Sequence, residues 1–151
     1  MNLADIQQEL RKQKLDGWLF FDHHLRDPLA YRILGLTPGK GPTRRWYYMI
    51  PAEGEPIGME HRIERNQLAA LPGEKIAYSS WKEQLAALGR LTAGMKRVAM
   101  QYSPMCAVPY VATVSVYCCG VSQHSTWKST SSSSPASKSP NDIFSIRVLV
   151  P

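Results

Sequence analysis

The stretch that most limits how this chain can fold is Leu15 to Gly35, LDGWLFFDHHLRDPLAYRILG. Gly17 to Phe21 is a continuous apolar run without polar alternation, the pattern of a strand covered on both faces of a sheet. It reads as a central strand. Asp22, His23 and His24 follow at its carboxyl end, and Asp27 with Pro28 then supplies an N-cap acid and a first-turn proline, a specific start signal for a helix. The helix should run from Pro28 to Leu34 and stop at Gly35, the residue type that takes a left-handed cap without steric cost. Ligands in open α/β sheets usually sit beyond strand ends, so Asp22, His23, His24 and Arg32 are the first candidates for a substrate-proximal role.

On either side of this stretch the periodicity is mostly clear. Leu3, Ile6 and Leu10 recur at helical spacing and predict an amphipathic helix over residues 2–14. Thr37 to Pro42 is a glycine- and proline-rich loop, and Arg44 to Ile50 is an aromatic strand that ends at Pro51. The turn around Gly54 and the segment Pro56 to Met59 complete a hairpin. Composition predicts a helix over Glu60 to Ala70 with Ile63, Gln67 and Leu71 on one stripe, then a short strand over Lys75 to Tyr78. A helix over Trp81 to Arg90 should bury Trp81, Leu85 and Leu88, and Arg97 to Tyr102 should be the next strand. Pro109 opens a helix or turn. Helices and strands in this order, with an inserted hairpin, predict an α/β fold with a mixed sheet flanked by helices.

A chain of 151 residues is one domain by length and can bury a core without staples. No apolar run is long enough for a membrane span, and the N-terminus lacks the pattern of a signal peptide, so a cytoplasmic setting without a membrane partner is expected. Cys106, Cys118 and Cys119 make neither a disulfide framework nor a metal motif, and Cys106 reads as an inert thiol. The net charge of +6 invites a nucleic-acid reading, but residues 1–114 hold fifteen basic and eleven acidic side chains, interspersed. Arg44 and Arg45 beside Trp46, Tyr47 and Tyr48 imitate a stacking platform. Alternation places apolar side chains on both faces of that strand, which explains it better as sheet core, so no nucleic-acid partner is expected.

The character of the sequence changes after Val114. From Gln84 onward the only acid is Asp142, and Val121 to Pro140 holds nine serines. Residues 115–151 therefore read as a disordered or aberrant tail, although Ile143 to Val150 could add a strand locally. One reading is that this tail is translated out of frame, so that a longer protein has been cut short.

Residues 3–114 resemble the N-terminal domain of the creatinase, prolidase and aminopeptidase P family. The features that carry the resemblance are the first helix leading into WLFFD, DPLAYRILG where relatives have an Asn-x-x-Tyr-Leu-Thr-Gly type segment, the hairpin RRWYYMIPAEGEPIG, and RVAMQYSP before a proline-initiated helix. LFFDHH and RRWYYMIPAEGEP look most like bacterial Xaa-Pro dipeptidase-like members. The resemblance implies a mixed sheet with a ribonuclease-H-like motif in front of a metal-dependent catalytic domain that hydrolyses the bond before proline. That catalytic domain binds two divalent metals, usually manganese, through a set of carboxylates and a histidine, and nothing in this chain matches it. No cofactor, metal ligand or catalytic residue is therefore expected here. Two hard cations need about five convergent ligands, and after His61 the only histidine is His124.

What the resemblance implies for this chain is a non-catalytic role in dimer contacts and in closing a substrate site, with a second copy or a peptidase catalytic domain as partner. Asp22, His23 and His24 could line the substrate end of such a site, or they could cap the strand end and face solvent. Arg32 could hold a carboxylate, or pair with Asp27 or Asp22. Trp46 and Tyr48 are the interface candidates if the chain is instead a stand-alone interaction module that uses its sheet edge or hairpin.

Overall fold

The computed structural model describes residues 2–39 and 41–101, together with the backbone of 146–149. The elements are α1 (Leu3–Lys12), β1 (Gly17–Asp22), α2 (Pro28–Leu34), β2 (Trp46–Pro51), β3 (Ile57–His61), β4 (Glu74–Tyr78), α3 (Trp81–Leu91), β5 (Val98–Gln101) and β6 (Ile146–Leu149). They build a six-stranded mixed sheet in the order β4-β3-β2-β1-β5-β6. The pairs β1·β2, β2·β3 and β5·β6 are antiparallel, whereas β1·β5 and β3·β4 are parallel. The expected α/β class with a helix-flanked mixed sheet is what forms.

Both faces of β1 and β2 are covered, as the unalternating runs require. Leu19, Phe21, Tyr47 and Met49 join Met59, Tyr78, Val98 and Met100 on one face, under Ala87, Leu88 and Leu91 of α3. Phe20, Trp46, Tyr48 and Ile50 fill the other face with Leu10 of α1, Tyr31 and Leu34 of α2, and Leu68 and Leu71. Truncating one of the buried leucines to alanine would cost about 2–5 kcal/mol, because such a site refills only partly.

Local signals set the first half of the chain. α1 carries Asp5 in its first turn and Arg11 and Lys12 in its last, charges that complement the helix dipole. It also ties down the β2–β3 turn, since Gln7 donates to the carbonyls of Pro51 and Gly54 and Arg11 donates to that of Ala52. The α2 boundaries match the expectation residue for residue: the Asp27 side chain accepts from the Ala30 N–H, and Gly35 ends the helix at φ 69°. Asp16 joins distant segments before β1 begins. Its carboxylate accepts from the N–H groups of Lys96 and Arg97 at 2.7 Å each, and its carbonyl accepts from the Ala52 N–H at 2.8 Å.

Two expectations fail for tertiary reasons. The helix over residues 60–70 is absent, and its place holds β3 as far as His61, a single 3-10 turn at Arg62–Glu64 and then turns. Glu60 is drawn into the ladder with β4, and its buried carboxylate accepts from the Leu68 N–H at 3.1 Å. The chain folds back there, so Leu68 and Leu71 are buried while Ile63 stays 70% exposed. In α3, Trp81 and Leu85 point outward at 67% and 39% exposure, and the buried face is Ala87, Leu88 and Leu91. Trp81 therefore does not anchor its helix.

The readings for Cys106, Cys118, Cys119 and a segment starting at Pro109 lie outside the described residues. So does most of 115–151, apart from β6.

Candidate functional site

The carboxyl ends of β1, β3, β4 and β5 and the amino end of β2 meet at one end of the sheet, because Asp22 pairs with Trp46, Tyr47 with Met59, and His61 with Tyr78. The sequence candidates Asp22, His23 and His24 lie here. Asp22 is fully buried and organises the corner. Its Oδ1 accepts from the N–H groups of Arg26 and Asp27 at 2.8 and 2.9 Å, and its Oδ2 accepts from the Leu25 N–H at 3.1 Å and the Tyr31 hydroxyl at 2.8 Å. The Trp46 indole N–H in turn donates to the Tyr31 oxygen at 3.3 Å.

This network holds an unusual loop. His24 and Leu25 both adopt positive φ, 63° and 56°, which costs a side-chain-bearing residue roughly 1–2 kcal/mol. The Asp22 carboxylate offsets that cost by gathering the N–H groups that follow, and the His24 N–H donates to the Pro42 carbonyl at 3.1 Å. The left-handed turn also brings the side chains of His23 and His24 together, although they are adjacent in sequence. Their rings lie 4.0 Å apart between centroids, tilted by 58°. Burial, followed by the nearby His24, Arg45 and Arg26, holds the His23 imidazole below its ordinary pKa despite a backbone contact at Thr43 that works the other way.

Asp27 is the second buried carboxylate of the corner. Burial pushes its pKa up to about 6; the Ala30 N–H opposes this and the charge of Asp22 adds to it. The Gln101 side-chain amide, turned so that its nitrogen faces the carboxylate, reaches Oδ1 at 3.0 Å and Oδ2 at 3.3 Å. Burial, together with Asp22 and Asp27, also raises the Tyr31 phenol far above its ordinary value. Burial thus lets the Asp27 carboxyl keep its proton nearer to neutrality than an exposed aspartate would.

The other candidates fall elsewhere. Arg32 is exposed, and among the described residues it pairs with neither Asp22 nor Asp27, whose oxygens already face donors within the loop and helix cap. Trp46 and Tyr48 are fully buried in the centre of the sheet and offer no surface to a partner. Among the described residues, no three His, Cys, Asp or Glu side chains converge as a metal ion would require.

Sequence reading missed the partnership of Tyr31 with Asp22 and the cations that ring this end, Arg26, Arg44, Arg45, Arg62 and Arg65. The only sequence signal for the first is helical spacing, which puts Tyr31 one turn beyond the Asp27 cap and on the buried face with Leu34. No helix among the described residues is long and apolar enough to cross a membrane.

No family model matches the chain, and no curated protein matches it. Among solved structures, it is similar to the prolidase from Pyrococcus horikoshii OT3 at 19% identity and a TM-score of 0.47, over 67% of this chain and 26% of that one. A proline dipeptidase from Streptococcus pneumoniae TIGR4 is similar at 20% identity and a TM-score of 0.48, over 66% of this chain and 73% of that one. A proline dipeptidase from Streptococcus agalactiae 2603V is similar at 13% identity and a TM-score of 0.49, over 80% of this chain and 97% of that one. The chain thus spans about a quarter of the Pyrococcus prolidase, against 73% and 97% of the two streptococcal chains.

Proposed function

We propose that residues 1–114 serve as the non-catalytic N-terminal domain of an Xaa-Pro peptidase-like metallohydrolase, contributing dimer contacts and closing a substrate site formed elsewhere. The observation that carries this reading is the β1–α2 corner. The segments WLFFD and DPLAYRILG, which bear the resemblance to that family, fold into a buried strand and a capped helix, and the loop between them presents His23 and His24 at the open end of the sheet. In this reading the two imidazoles face the substrate end of the partner site, and Asp22 and Tyr31 position them. Arg32, exposed on α2, is free to hold a carboxylate there.

The test uses the full chain with manganese and an Xaa-Pro dipeptide. No turnover is expected, and chelator-sensitive hydrolysis at a rate proportional to the purified chain would overturn the reading.

A stand-alone interaction module is the second reading, favoured by Trp81 at 67% exposure and by β4 at a sheet edge. Light scattering coupled to size exclusion separates the two. A sharp dimer formed by this chain alone, lost on Trp81→Ser, supports the module.

A further inference from the structure

The two edge strands of the sheet reach their places differently. β4 runs on into α3 within a few residues, whereas β6 joins β5 only after the 44 residues 102–145. β6 is also short. Its residues pair with β5 in one antiparallel register, Ile146 with Gln101, Arg147 with Met100, Val148 with Ala99 and Leu149 with Val98. Its outer side has no strand among the described residues.

The strand that receives β6 is fixed by contacts of its own. Val98, Ala99 and Met100 are buried and pair with Gly17, Trp18 and Leu19 of β1. Just before them, the Lys96 and Arg97 N–H groups donate to the Asp16 carboxylate at 2.7 Å each, and the Arg97 carbonyl accepts from the Asp16 N–H at 2.8 Å. At the far end the Gln101 amide meets Asp27 Oδ1 at 3.0 Å. Antiparallel neighbours are usually joined by about two to five residues, and a much longer connection costs chain entropy to close. It also dilutes the tethered strand, to an effective concentration on the order of millimolar or less. A preformed edge therefore meets a four-residue donor that its tether recruits weakly.

We propose that the outer edge of β5 is a strand-acceptor site whose occupant in trans is residues 146–149 of a second copy, the two copies exchanging β6 reciprocally. The ladder itself selects the partner. Ile146–Leu149 is the segment seated on this edge, and each copy carries one such donor and one acceptor. Exchange reproduces every β5·β6 backbone pairing and closes a two-fold dimer with no donor or edge left over. The net charge of +6 opposes the approach of two copies, so salt should favour the exchange. The inference goes beyond the domain reading and does not depend on it, since it uses only the strand pairing and the length of the connection.

The experiment sizes the full chain by light scattering with size exclusion after incubation at concentrations up to the millimolar range, and measures anisotropy of a labelled peptide spanning Ser145 to Val150. The dimer fraction should rise with protein concentration and with salt. Successive N–H groups of a strand point to opposite sides, so Arg147→Pro combined with Val148→Pro removes a ladder donor whichever of the two faces β5. This variant should remain monomeric, and with its own donor disabled it should bind the peptide about tenfold tighter than the parent does. Trp81→Ser should dimerise like the parent, which separates exchange from the surface of a stand-alone module. A parent that stays monomeric throughout, a dimer kept by the proline variant, or a folded proline variant that ignores the peptide would each overturn the inference. Should the proline variant misfold by circular dichroism, parent copies carrying two different fluorophores decide: energy transfer that develops at high concentration and is suppressed by excess unlabelled peptide supports exchange, and transfer that is absent or indifferent to the peptide overturns it.

Discussion

The Tyr31 hydroxyl donates to Asp22 Oδ2 at 2.8 Å from nine residues further along the chain, and this contact ties α2 to the end of β1. Both groups are buried, so each relies on the other for a partner that water cannot supply.

Removing the hydroxyl measures the tie. Tyr31→Phe leaves Asp22 with backbone donors only and the Trp46 indole N–H without its acceptor, so it should cost about 1–3 kcal/mol. Asp22→Ala strands the N–H groups of Leu25, Arg26 and Asp27 as well as the phenol, and should cost about 3 kcal/mol or more. Urea unfolding at constant slope reads both values. An Asp22→Ala midpoint equal to that of the parent would refute the organising role.

Asp27 should make stability depend on pH in a direction opposite to most carboxylates. Its folded value of about 6 lies above its ordinary 3.8, so its contribution is fully present below pH 3.8 and is lost as pH rises through about 6. Asp16, Glu64 and Glu83 are held below their ordinary values and act in the other sense. The comparison is therefore with Asp27→Asn, which keeps a good helix cap. Between pH 4 and 7 the parent should lose up to about 3 kcal/mol relative to this variant. Parallel stability curves for the two proteins would contradict the assignment.

Two glycines with similar backbones should respond differently to alanine. Gly54 has φ 95° with open space around it, so Gly54→Ala should cost only the left-handed penalty of about 1 kcal/mol. Gly73 has φ 84°, and an added Cβ would lie 1.9 Å from the Pro56 carbonyl oxygen, a contact that backbone must move to relieve. Gly73→Ala should therefore lower the thermal midpoint much further than Gly54→Ala, and equal shifts would show that the 56–73 approach is looser than described.

How much of the molecule could be read in advance follows from the range of each signal. Asp27, Pro28 and Gly35 act within one helical turn of themselves, so α2 was legible to the residue. The buried character of Trp46 to Ile50 was legible as well, because apolar side chains on both faces admit only a covered strand. Glu60 was misleading because its composition favours a helix, whereas pairing with β4 and the Leu68 N–H decides its place. Trp81 was misleading in another way, since the helical stripe it begins is real, but α3 rolls Ala87 and Leu91 inward instead. At the candidate site only placement was legible. Asp22, His23 and His24 were found from their position at a strand end, but positive φ at two non-glycine residues leaves no trace in residue type. The surrounding arginines gather only once the sheet brings distant segments to one end.

Asp16 links the start of β1 to residues 80 and 81 positions later and, through its carbonyl, to the end of β2. The innermost strand therefore receives one flank from the adjoining hairpin and the other only after the chain has passed Val98. During synthesis, a nascent chain that has released the hairpin alone still shows an open ladder of Gly17, Trp18 and Leu19, and that interval is when a stray strand from another molecule could claim it.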